Sequence, residues 1–279
     1  MGTKFKKLKI IMNDFNLYKG AWISSLPPHK MKRISEKKCN QLLNRGGYLV
    51  RQTFNFDQVD NSSFWYVIKD SFGGMEELSS KMRNQVKKSF KTYAFKKVGG
   101  EEVKSKCYEI VASAQKSYKI HTDVVSKKSW LKWIDNMMKA DNFDFWVAYE
   151  LSSGSPVALA INKIFDDCCD YQSMKCNPVY MHNSTYPYYG LIYEMNRYYL
   201  NERGVKYVCD GARSITEHSN IQPFLIDKFH FRKAYCQLEI VYKWYVGIIV
   251  VMLYPFRKLI KHSGVTALLN LEAMAQGEL

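Results

Sequence analysis

The stretch from residue 143 to residue 176 constrains this chain most. Phe143-Asp144-Phe145-Trp146-Val147-Ala148-Tyr149-Glu150-Leu151 is dense in β-formers, Ser152-Ser153-Gly154-Ser155 is a turn, and 156–165 resumes the β-rich pattern. Two such runs across a short Gly-containing break predict a hairpin. Asp166-Asp167 turns the chain again. Over 168–176, Cys169, Tyr171, Ser173 and Lys175 alternate with Asp170, Gln172 and Met174, the period of a third antiparallel strand.

The residues after this meander are equally ordered. A loop over 177–186 leads to Pro187, placed for a first helical turn, and to the periodic run Leu191, Ile192, Met195, Tyr198 and Tyr199, closed by Gly204. A short strand over 205–210, a helix over 221–229 and one long or two consecutive strands over 231–245 complete the unit. Ahead of the meander, 48–54 and 64–68 read as strands, and the earliest residues carry no clear period. A helix over 75–90 sets Leu78, Met82, Val86 and Phe90 on one face. A second over 101–119 uses Val103, Cys107, Ile110, Val111 and Ala114, and a third over 129–140 uses Trp130, Trp133, Ile134 and Met137. The breaks at Gly73-Gly74 and Gly99-Gly100 are too short for flexible linkers. These elements divide the chain into an N-terminal α/β region over 1–98 with its basic helix at 75–91, a core over 99–262 and a tail over 263–279.

At 279 residues the chain can bury one large core or two modest ones without disulfides. Its seven cysteines are odd in number, with no CxxC pair and no histidine at zinc-ligand spacing, so they read as free thiols in a reducing compartment and no metal site is expected. The net charge of +15 favours a polyanion: a phosphate group, RNA or an acidic lipid surface. Lys81, Arg83, Lys87, Lys88 and Lys91 make most of the surface of the 75–91 helix positive, with Glu76 and Glu77 as acidic compensation in its first turn. Such a surface is either a solvated face or a clamp for a phosphate-bearing substrate.

The N-terminus carries Lys4, Lys6 and Lys7, but Asn13 and Asp14 interrupt the apolar stretch behind them, which is not the pattern of a secretory signal. Near the other end, 244–256 holds no charged residue and is bounded by Lys243, Arg257 and Lys258. It is shorter than the roughly 20 apolar residues a membrane span needs. Two readings stay open: a buried strand turning into a helix, or a surface meeting a bilayer through Trp244, Tyr245, Tyr254 and Phe256, with Arg257, Lys258 and Lys261 toward anionic headgroups.

Three meandering strands, a helix, a strand, a short helix and closing strands is the order of the acetyltransferase (GNAT) superfamily core. Gly190-Leu191-Ile192-Tyr193-Glu194, the run from Gly204 through Asp210-Gly211-Ala212, and Phe224-Leu225-Ile226-Asp227-Lys228-Phe229-His230-Phe231-Arg232-Lys233 resemble the end of the Fem-type aminoacyl and peptidoglycan-bridge transferases. The basic run from Leu78 to Lys88 resembles the helix ahead of their core. The resemblance spans about 75–245. It implies a mixed, mainly antiparallel α/β (α+β) sheet flanked by helices, with an incomplete N-terminal GNAT-like half. It also implies N-acyl transfer from an acyl-CoA or aminoacyl-tRNA donor to an amine of a cell-envelope or polysaccharide precursor, at the cytoplasmic side and peripheral to the inner membrane face. No tightly bound cofactor is expected. One departure concerns the donor: coenzyme A enzymes carry a glycine-rich loop of backbone amides, whereas His182 to Gly190 holds one glycine, and Pro187 has no N–H.

Acyl transfer to an amine needs a polarised carbonyl, close approach and one modest base. Asp210, ending a strand, is the candidate for orienting the amine or taking its proton; alternatively it caps a loop with Gly211. Tyr188 is the second catalytic candidate. Tyr186 and Tyr189 cluster with it where a donor-binding helix starts, and a phenol can donate to an oxyanion or stack on a base. Arg213 either pairs with Asp210 or holds a phosphate, or is a surface arginine. Lys81 and Arg83 are candidate phosphate contacts. His182 and His218 lie in expected loops, where a histidine is either a proton-transfer candidate or simply an exposed side chain. Two other classes remain: a non-catalytic polyanion binder on a degenerate acyltransferase scaffold, and a membrane-surface adaptor.

Overall fold

The computed structural model describes residues 14–118, 123–215 and 220–278. Contacts divide the chain into two compact units, the first drawing on Met1–Tyr66, Ala212–His218 and Lys233–Leu279, the second on Val67–Gly211 and Ser219–Arg232.

Two short strands open the first unit, β1 (Phe15–Tyr18) and β2 (Ala21–Ser24). Lys19 and Gly20 join them, both at positive φ (47° and 82°), the mirror-image turn whose twist matches that of the flanking strands. Helix α1 (Glu36–Leu43) and strand β3 (Leu49–Phe54) follow. Phe15, Cys39, Leu42, Leu43 and Val50 form a buried cluster between this helix and the sheet.

In the second unit β4 (Trp65–Lys69), whose last three residues lie in this unit, precedes α2 (Ser80–Thr92) and β5 (Tyr93–Val98). The helix starts at Ser80 rather than at 75 because the Ser79 side chain accepts from the Met82 N–H and so satisfies an end donor. Glu77 is therefore outside the helix, bonded to the buried Lys69 and to the Gly73 N–H. Leu78, Met82 and Val86 are buried as expected, whereas Phe90 is partly exposed. The single helix expected over 101–119 is two, α3 (Gly100–Lys106) and α4 (Tyr108–Lys116), broken where Cys107 leaves helical geometry at φ −105°, ψ 0°. Helix α5 (Lys127–Ala140) buries Trp130, Ile134 and Met137 but leaves Trp133 partly exposed.

The meander is present as β6 (Phe143–Glu150), β7 (Pro156–Ile164) and β8 (Cys168–Cys176), antiparallel throughout. The segment expected as a loop contains one helical turn, α6 (Pro178–Met181). Helix α7 (Pro187–Asn196) continues as a π-helical stretch over Arg197–Glu202, then come β9 (Tyr207–Ala212) and α8 (Ile221–Phe229). The sheet of this unit runs β4-β9-β8-β7-β6-β5. Phe145, Val147, Leu159 and Ile161 pack on α3, α4 and α5 through Val103, Ile110, Trp130 and Ile134. The residues between them point the other way, so Trp146 and Asn162 meet Tyr199. Both faces are covered, which is why β7 is buried along almost its whole length.

The chain then returns through β10 (Arg232–Tyr235) and β11 (Gln237–Tyr242). The first unit's sheet is β1-β2-β3-β11, with β2 parallel and β11 antiparallel to β3. Helices α9 (Trp244–Leu253) and α10 (Ser263–Ala275) end the described chain. A buried strand over the start of 244–256 is thus replaced by a helix, most of whose apolar residues face outward. All seven cysteines are free and buried.

Candidate active site

Strands β8 and β9 are parallel and stay together for three pairs only: Cys168 with Tyr207, Cys169 with Val208, and Asp170 with Cys209. Beyond that point the two strands continue without pairing to each other. The cause lies on the other edge of β8. There Ile161 pairs with Ser173 and Asn162 with Tyr171, so Gln172 is left over as a bulge. A bulge bends its strand and ends local pairing, and this one bends β8 where it leaves β9.

Asp210 is the first residue of β9 past the last pair. Burial first, and then the nearby Asp170 carboxylate, push its pKa up to about 8, opposed by a hydrogen bond with Gln222 of α8. Asp170 is raised to about 6 by burial, opposed by the Gln172 amide, which donates to it at 2.5 Å, and by Lys163. Two carboxyl groups with separated pKa values at one opening are the arrangement that distinguishes acid from base roles. Cys169 and Cys209 flank them, but burial drives both thiols well up. They stay protonated and are poor nucleophiles. Tyr171 is likewise held protonated by burial, and its hydroxyl donates to Asn196 Oδ1 at 2.8 Å.

The start of α7 is the second cluster. Tyr186 caps the helix at φ 58°, without a side-chain cap. Ser89 of α2 donates to its carbonyl at 2.8 Å. The Tyr186 phenol is held below its ordinary range by hydrogen bonds with Gln85 and Ser184, and then by Lys88 and Lys81; Lys88 Nζ stands 5.9 Å from its ring centre. Tyr189 packs edge-on against Tyr186 (5.2 Å) and against Phe224 of α8 (5.1 Å). Lys81, Tyr186 and Tyr189 are thus brought together. Gly190 serves packing rather than an anion loop: a Cβ there would lie 2.3 Å from the Phe95 ring and 2.6 Å from Ser89 Oγ.

Burial drives the Tyr188 phenol well up, and it lies against the backbone of Cys176 at the far end of β8. Cys176 is six residues beyond Asp170, about 20 Å along a strand. Tyr188 and Asp210 therefore stand at opposite ends of the opening and do not share one bond. Arg83 donates to the Leu78 carbonyl at 3.0 Å and so braces the turn before α2. Arg213, in the first unit, stacks on Trp65 at 4.2 Å and donates to the Ser63 carbonyl. His182 follows α6 and is exposed; His218 lies outside the described residues. Asp170 and Gln172 were missed because strict alternation sends both to the outer face of a regular strand.

These strands, their opening and the flanking helices make a mixed, mainly antiparallel α/β fold of GNAT-like form, like that of FemX. No family model matches the sequence, and no curated protein matches it by sequence. Among solved structures it is similar to FemX, with a TM-score of 0.50 at 10% identity over 83% of this chain and 89% of that one. It is also similar to the C-terminal domain of a protein assigned as a lysylphosphatidylglycerol synthetase from Agrobacterium fabrum. There the TM-score is 0.51 at 11% identity over 85% of this chain and 82% of that one.

Proposed function

We propose that the chain is an N-acyltransferase that moves an acyl or aminoacyl group from a thioester or tRNA donor to an amine of a cell-envelope or polysaccharide precursor. The observation that carries this is the parting of β8 and β9 at Asp210, a carboxyl whose proton leaves only near pH 8. The donor's anionic head meets Lys81, Lys88, Tyr186 and Tyr189 at the start of α7, with Tyr188 beside it, and its acyl end runs along the opening to Asp210. There the ionised carboxylate takes a proton from the acceptor ammonium or orients the free amine, and the amine attacks the carbonyl. The new C–N bond forms as the C–S bond of the thioester or the C–O bond of the aminoacyl ester breaks, and the thiol or tRNA hydroxyl leaves with the proton that the nitrogen gives up. His182 borders the donor end. Arg83 acts by bracing α2, and Arg213 is left a structural part. An acceptor of this class is presented at the inner face of the membrane, and the chain works there as a cytoplasmic, peripheral protein.

Thermal-shift measurements with coenzyme A thioesters and with aminoacyl-tRNA test the donor, since a ligand bound by the folded form raises the melting temperature. Turnover of the stabilising donor should be lost in Asp210→Asn while its binding persists. Binding that depends on Lys81 and Lys88 with no turnover of any donor would sink the catalytic reading and leave a polyanion-binding protein.

A further inference from the structure

Helix α9 has one face with no cover among the described residues. Val246 and Val250 pack on Leu269 of α10. Outward lie Trp244 (76% exposed), Ile248, Val251 (74%) and Met252 (66%), followed by Phe256 and Leu259 (77%). A helix apolar on all sides is normally buried on all sides, and a contiguous exposed apolar patch marks a surface that meets something. Ten residues give a helix about 15 Å long, half the hydrocarbon thickness. It can lie in an interface and cannot cross. Among the described residues no helix is long and apolar enough to cross a membrane.

Charge selects the occupant. Between Glu239 and Glu272 there is no acidic residue, while Lys243, Arg257, Lys258 and Lys261 all fall in that interval. Arg257 is paired with Glu278 and lies over the Tyr254 ring. Lys258 and Lys261 are exposed and make no ion pair among the described residues. A second copy docking face to face would set these lysines against their own images, whereas an anionic surface would neutralise them. Trp244 and Tyr245 at one end, with Tyr254 and Phe256 at the other, are the side chains that favour the boundary between water and hydrocarbon.

We propose that α9 and the segment up to Lys261 dock the chain on an anionic lipid bilayer. The helix lies in the plane of the interface with Trp244, Ile248, Val251 and Met252 sunk below the headgroups, and Lys258 and Lys261 meet the lipid phosphates. This attachment does not require acyl transfer, so Asp210→Asn leaves it unchanged.

Flotation of the full chain tests it, using vesicles of phosphatidylcholine alone and vesicles with phosphatidylglycerol added at about 7:3, which supplies the negative surface potential. The chain should float with the anionic vesicles, and less so as salt is raised. Lys258→Gln with Lys261→Gln should lower partitioning about 25-fold, from about fivefold per lysine. Val251→Asp with Met252→Asp should abolish it, with circular dichroism confirming the fold. Leu259→Asp, outside the helix, is a second apolar disruption that leaves α9 intact, and it should weaken binding. Equal binding to both vesicle types, or none to either, overturns the proposal. So does full binding by the folded aspartate variants, or light scattering that shows these variants instead dissolving a dimer of the wild type.

Discussion

Replacing Asp210 by Asn should flatten the pH dependence of stability, and the size of the effect follows from the burial of one carboxyl. Its pKa is about 8 in the folded chain against 3.8 for an ordinary aspartate. Between those values the unfolded chain has lost the proton and the folded chain keeps it, so stability falls as pH rises. This contribution is fully present below about pH 3.8 and is lost as pH climbs through about 8. At about 1.4 kcal/mol per pH step, the ceiling between pH 5 and pH 8 is about 4 kcal/mol. Asp170, raised to about 6, titrates with it and spreads part of the loss to lower pH, so about 2–4 kcal/mol is expected. An Asn side chain still bonds Gln222 and cannot ionise. At about 2–4 °C per kcal/mol for a chain of this size, the Tm advantage of the variant should be about 4–16 °C larger at pH 8 than at pH 5. Thermal melts followed by near-UV circular dichroism across that range measure it. Parallel curves for variant and wild type would refute the burial argument and remove the basis for Asp210 as a base poised near pH 8. In Asp170→Asn the like charge is gone, so the wild-type inflection should move to lower pH.

Gly190→Ala places a methyl group into the Phe95 ring and Ser89 Oγ and should cost about 1–3 kcal/mol in urea unfolding; an unchanged midpoint would mean that α2 and α7 separate freely. Tyr199→Phe removes the hydroxyl that donates to Asp144 and accepts from Trp146 Nε1 at 2.9 Å and Asn162 Nδ2 at 3.3 Å. Leaving the buried Trp146 Nε1 unmet, while Asn162 Nδ2 keeps only its contact to Met195 Sδ, should cost about 1–3 kcal/mol in the same assay. Lys69→Met leaves Glu77 without its buried cation and should cost about 3–5 kcal/mol. Adding Glu77→Gln should recover part of that loss, and a double variant no better than the single one would show the pair to be uncoupled.

The meander was legible because 143–151 and 156–165 are dense in β-formers, 168–176 alternates, and the turn residues between them are strong. The helix at Pro187 was legible through its proline and its closing glycine. Strand β5 was not, since Tyr93–Val98 is short, carries Lys96 and Lys97, and follows α2 without a turn signal. The N-terminal strands are four residues each and depend on pairing with β3. At the site, Asp210 could be picked out as a carboxylate near a strand end. Its partner could not: the bulge at Gln172 breaks the period from which sidedness is read, and burial of Asp170 is a tertiary fact. The same holds for α9. Hydropathy marks 244–256 as apolar, but only the packing of α10 shows which residues it leaves uncovered.

The pairing of β3 with β11 has a consequence for biosynthesis. Leu49 to Phe54 leave the ribosome early, and the strand that completes their sheet, Gln237–Tyr242, emerges only after the entire second unit has been made. So wide a separation in sequence is slow to close. The nascent chain must carry an open β-edge while its middle folds, and that interval is where a chaperone, or misassembly, has its opportunity.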